Sequence, residues 1–139
     1  MNLFSLKERQ YKEQQQANKY SDTMLKLTEK EGRLIEMLEH TDYSVEDLSM
    51  ILMKAQFLQN DIKECIDKIS KSGMIKEIVE IQLLTLSQLS KRVEDMIIRL
   101  TTVVNNTKQA NLIKVEADQK EMLVNLIKVV NKERKEDES

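Results

Sequence analysis

The chain has 139 residues, a formal net charge of −2 and a pI near 5.6; 33% of it is Asp, Glu, Lys or Arg, and it holds no proline and two glycines. That balance gives no basis for a basic nucleic-acid module, and the single cysteine, Cys65, excludes an internal disulfide framework. No run approaches the length of about 20 apolar residues that a membrane span needs, and no Asn-Gly or Asp-Gly pair offers a tight hairpin, so the composition predicts a soluble, cytoplasmic, all-α chain of one domain, 1–139.

The first thirty residues are thinly apolar. Ala17, Tyr20, Met24 and Leu27 recur at steps of three and four, as one stripe of a helix does, while residues 1–16 are expected to fray. The apolar start Leu3, Phe4 and Leu6 reads either as an end cap of the bundle or as a short anchor. A denser face follows at Leu34, Ile35, Met37 and Leu38, and Gly32 is read as loosening the join between the two stretches.

Thr41-Asp42-Tyr43-Ser44 reads as a turn into a new helix. Ser44 can cap the free amides of the next turn, and Glu46 and Asp47 suit its positive end. Against this, Leu34, Leu38, Val45, Leu48, Leu52, Ala55, Ile62, Ile66 and Ile69 keep one heptad phase straight through, as an uninterrupted helix would. From Val45 to Ile69 the seam is Leu48, Leu52, Ile62, Ile66 and Ile69, widened by Ile51, Leu58 and Cys65. Met50, Met53 and Phe57 fall on the opposite side, so this segment is apolar nearly all round and needs neighbours on more than one face.

The main turn is placed at 70–74. Gly73 can take the left-handed backbone that closes a helix, and Lys68 and Lys71 complement its negative end. Beyond it Leu86, Leu89, Val93, Met96 and Leu100 form the second seam. The polar run Asn105 to Asn111 shifts the apolar phase, which predicts a turn near 105–108 or a stutter in one long helix. The charged tail 131–139 is expected to fray. Two architectures follow: an antiparallel bundle of three to four helices, or a coiled-coil-like hairpin folded at Gly73, a rod of roughly 100 Å.

Candidate chemistry is sparse. His40 is the only histidine and has no partner at a metal-binding spacing. Cys65 lies on the apolar seam and reads as a small hydrophobe. Two isolated glycines build no phosphate loop, and carboxylate pairs such as Glu29 with Glu31, or Glu94 with Asp95, read as solvated helix faces. The most basic patch, Lys128, Lys132, Arg134 and Lys135, is cancelled by Glu136-Asp137-Glu138. The expectation is therefore a non-enzymatic helical interaction protein (adaptor, chaperone or scaffold subunit), with no cofactor, metal or small-molecule substrate. It would bind a partner helix or a copy of itself, with Met50, Met53 and Phe57 as the candidate interface. The alternatives are a regulatory module acting on nucleic acid or on a nucleic-acid-binding protein, and a helical-bundle enzyme or metal protein.

Overall fold

The computed structural model describes residues 3–138, the side chains of Leu3 and Phe4 excepted. Four helices follow one another: α1 (Leu3–Glu39), α2 (Val45–Ser70), α3 (Lys76–Gln109) and α4 (Ala117–Glu138). The protein is an all-α bundle. Short connections send successive helices back along one another, so the four-helix arrangement is adopted and the two-helix rod is not. The closest pair is α2 with α3, the hairpin around Gly73; α1 packs on α2, and α4 lies against α3 and α1. Between α2 and α4 there is no close backbone approach.

Each connection is made by local chemistry. After α1, the Tyr43 amide donates to the Thr41 hydroxyl at 3.2 Å and the Ser44 amide donates to Asp42 Oδ1 at 2.9 Å. Ser44 Oγ then accepts from the Asp47 amide at 3.1 Å, capping α2. Those bonds hold Tyr43 at φ 59°, a left-handed conformation that costs a bulky residue about 1–3 kcal/mol. The Asp42 carboxylate lies below its ordinary pKa because it accepts first from the Ser44 backbone and then from the Ser44 side chain.

At 70–74, Gly73 sits at φ 72°. The Ser72 hydroxyl donates to Ile69 O at 2.7 Å, and Met74, 7% exposed, turns in to plug the end of the core.

The third connection differs from expectation. Asn105 to Lys108 remain helical, and the turn comes later, at 110–116. There Asn111 takes φ 56°, its amide donates to Lys108 O at 3.0 Å, and the Leu112 amide donates to Thr107 O at 3.0 Å. This is a Schellman closure, for which asparagine is the second choice after glycine. Thr107, buried, donates its hydroxyl to Val103 O at 2.8 Å, so the polar run hides a residue that belongs to the core.

Two of the connections meet at one end of the bundle. Val45 N donates to Ile113 O at 2.8 Å and Val115 N to Tyr43 O at 3.0 Å, an isolated antiparallel bridge pairing Ser44 with Lys114. Lys120 Nζ lies 4.8 Å from the centre of the Tyr43 ring, a cation–π contact that fastens α4 to the same knot.

The described residues of both segments expected to fray are helical, from Leu3 and to Glu138. Among the described side chains of α1 none is buried before Ala17, and i,i+4 pairs such as Arg9–Glu13 at 3.7 Å and Lys12–Glu8 at 3.6 Å support the exposed turns. In α4 the last turns are held by Arg134 and Asp137, which reach the buried charges Glu31 and Arg92.

Candidate docking surface

Two sites stand out, one buried and one open. The buried one corrects the reading of Glu31 as a solvated carboxylate: its exposure is 0%. It occupies the apolar phase of α1 between Leu27 and Leu34, where it faces Arg92 of α3. Arg92 Nε donates to Glu31 Oε2 at 2.8 Å and Nη2 donates to Oε1 at 3.2 Å, a bidentate pair, while Nη1 donates to Asp137 of α4. Arg134, also on α4, brings Nη1 to 3.2 Å from Glu31 Oε1. That approach compensates charge without hydrogen-bond alignment, since Nη1 has no hydrogen-bond acceptor. Burial works against the Arg92 charge; the hydrogen bonds and charge of Glu31, and then those of Asp137, outweigh it and leave its pKa raised.

Gly32 has a different role from the loosened joint read in the sequence. A β-carbon there would lie 3.1 Å from Nη2 and 3.2 Å from Nη1 of Arg134. Its missing side chain is the seat on which the guanidinium lies. The four charges sum to zero and tie α1, α3 and α4 together, so this cluster positions helices. It also divides the basic patch of α4, because Arg134 turns inward while Lys128, Lys132 and Lys135 stay exposed.

Other polar residues in the core make similar ties. Gln59 of α2 donates to Ser90 O at 3.1 Å and to Glu94 at 3.0 Å across the central hairpin. Gln82 of α3 donates to Ala17 O at 3.2 Å, seating the first buried turn of α1. Of the predicted seams, Leu48, Ile62, Ile69, Leu86, Leu89, Val93, Met96 and Leu100 are buried, while Leu52 and Ile66 are partly buried on the seam's flank. Cys65 is buried, and desolvation pushes its thiol pKa up. His40 is exposed just past α1. Among the described residues no three His, Cys, Asp or Glu side chains gather as a metal site requires, and no helix is long and apolar enough to cross a membrane. Leu6 is exposed; its companions Leu3 and Phe4 lie outside the described side chains.

The open site is the outer seam between α1 and α2. Lys30, Arg33, Leu34 and Met37 line one wall and Lys54, Phe57, Leu58 and Asp61 the other, around a cleft of about 300 Å³. Each wall is an i, i+3, i+4, i+7 row, one face of a helix. The ion pair between Lys30 Nζ and Asp61 Oδ2, at 3.5 Å, closes one end. The same antiparallel register sets Leu34 level with Phe57, and Met37 level with Lys54. Leu34 and Leu58 are buried and form the floor; Phe57 stands at the rim, 61% exposed. Met53, 48% exposed, and Met50, 43% exposed, continue the Phe57 stripe along α2. These three residues of the predicted interface are left open because α3 packs on the opposite face of α2 and α4 does not reach it.

No family model matches the chain, and neither a curated protein nor a solved structure is similar to it.

Proposed function

We propose that this protein is a non-enzymatic helical adaptor that receives a helix along the α1–α2 seam. The carrying observation is the exposure of Met50, Met53 and Phe57 in one stripe that runs into the cleft; Leu25, Ile81, Leu84, Ile98 and Ile113 are also exposed, but none of them lines that cleft. Large apolar side chains scattered singly are ordinary on a protein surface, whereas an aligned aromatic and two thioethers beside a groove are what helix recognition uses. Covering each contributes about 1–2 kcal/mol, scaled from full burial of a Phe or Met side chain. Together the three supply about 3–6 kcal/mol, an apolar anchor that the rest of the interface must add to before the cost of association is exceeded.

The test is photo-crosslinking in the native host, with benzoylphenylalanine placed at Met53 or Phe57 and, as a control, at the exposed Gln109. A discrete adduct confined to positions 53 and 57 supports the reading. Adducts of equal yield at all three positions, or none at 53 and 57, would overturn it.

A further inference from the structure

The cleft also carries a sign. Three cations, Lys30, Arg33 and Lys54, stand around it against one carboxylate, Asp61. The chain as a whole is negative, at −2. Lys30 is engaged with Asp61. Arg33 and Lys54, one on each wall, have no carboxylate within ion-pair distance among the described residues. An apolar floor of Leu34 and Leu58, an aromatic rim at Phe57 and a cation on either side that makes no ion pair therefore repeat, in complement, the cross-section of an amphipathic helix with an apolar ridge and acidic shoulders.

Length agrees with this. From Asp61 back to Met50 the stripe spans twelve residues of α2, about 17 Å, or three helical turns. Such a span accommodates anchors at i, i+4 and i+7 of an incoming helix. An extended peptide finds no sheet edge to join, because among the described residues the only β pairing is the Ser44–Lys114 bridge at the end of the bundle.

Building on the docking reading above, we propose that the occupant of the α1–α2 cleft is an amphipathic helix of another protein whose apolar ridge is flanked by Asp or Glu. Phe57 and the two methionines grip the ridge, and Arg33 and Lys54 pair with the shoulders from opposite walls. The charges set orientation and encounter rate, and the apolar contacts set the lifetime of the complex.

The experiment is selection, on the folded full chain, of a displayed library of amphipathic helices. Their apolar positions are fixed and their flanking positions are randomised among Glu, Lys, Gln and Ser. Glu is expected to be enriched over Lys at the flanks by roughly tenfold at low salt, and less at high salt as screening grows. Arg33→Glu combined with Lys54→Glu inverts that preference towards Lys, and Phe57→Ser weakens every selected helix by roughly tenfold or more. All three side chains are outside the buried core, and far-UV circular dichroism confirms that the variants fold. Helices that bind through Phe57 with no charge preference would overturn the acidic occupant while leaving the docking reading intact. No enrichment over the Phe57→Ser chain would overturn both. A mass that doubles with concentration in light scattering and reverts in Phe57→Ser would assign the cleft to a second copy. Phe57-dependent binding to phosphatidylserine vesicles would assign it to a lipid surface. Either outcome overturns the proposal.

Discussion

Replacing Arg92 by leucine strands a carboxylate that has no exposure at all. In the Arg92→Leu variant Glu31 loses both of its aligned donors, at 2.8 and 3.2 Å, and keeps only the unaligned approach of Arg134. Removing one partner of a buried pair costs about 3–5 kcal/mol. The residual Arg134 contact sets the expected loss near the lower bound, about 3 kcal/mol. For a domain with an ordinary stability of about 5–15 kcal/mol that is a large fraction. Glu31→Leu is milder, about 2–3 kcal/mol, because Arg92 keeps Asp137. The double variant Glu31→Leu/Arg92→Leu removes both charges and puts apolar atoms in their place. Arg134 and Asp137, three residues apart on α4, are left to pair with each other. It is expected to be more stable than either single variant, with a coupling of at least about 2 kcal/mol. Urea unfolding followed by far-UV circular dichroism, with an unchanged denaturant slope as the check on two-state behaviour, measures all four corners. Additive single losses, with a coupling under about 0.5 kcal/mol, would refute the claim that Glu31 and Arg92 are each other's main compensation.

Other substitutions test the turns and the seat of Arg134. Gly73→Ala is expected to cost about 1–2 kcal/mol through its backbone alone, since φ is 72° and a β-carbon meets nothing within 4 Å; Gly73→Asn should recover part of it in the same urea assay. Gly32→Ala should fail to deliver the gain of about 1 kcal/mol that alanine usually brings to a helix interior, because its β-carbon crowds Arg134, and the gain should return in an Arg134→Ala background. The folded-state pKa of Asp42 is depressed below 3.8, so its carboxylate adds stability that is fully present above that value and is lost as pH falls through the lower, folded-state value. Acid titration of Asp42→Asn should therefore lack part of the loss that the parent shows below pH 3.8. Cys65, buried and with its thiol pKa raised, should react with maleimide only at the rate of unfolding, so that modification in the absence of urea at the speed of a free thiol would contradict its placement.

Much of this fold can be read from periodicity, and the misreadings have specific causes. Thr41–Ser44 reads as a turn from the Ser44 cap and is one, with α1 ending at Glu39 and Tyr43 left-handed; the competing signal, a single heptad phase from Leu34 to Ile69, is what misleads. Both helices bury that phase in the same core, and a common core imitates continuity. Of the two readings of the Asn-rich run, a turn near 105–108 or a stutter in one long helix, neither is realised: Thr107 points inward and keeps 105–108 helical, and α3 is closed later by Asn111, a residue tolerant of left-handed backbone. Glu31 and Arg92 were missed for a related reason. Charge on a helix normally means solvent, and the signal that could have found them is positional: opposite charges, each interrupting an apolar stripe, on separate segments. The exposed stripe at Met50, Met53 and Phe57 was legible as excess apolar surface on one helix. The cleft beside it depends on how α1 is registered against α2, which no local pattern encodes.

The buried charge cluster also has a chronology. Glu31 and Arg92 can meet once α3 has been made, but Arg134 and Asp137, which complete the compensation, are synthesised last of the four. At about 5–20 residues per second, the interval between Arg92 and Asp137 is roughly 2–9 s. Until α4 docks, α1 and α3 hold Arg92 with one carboxylate in place of two, and the side of α1 that carries Gly32 lies open. α4 is thus the clasp of the bundle, closed only after the other three helices have been made.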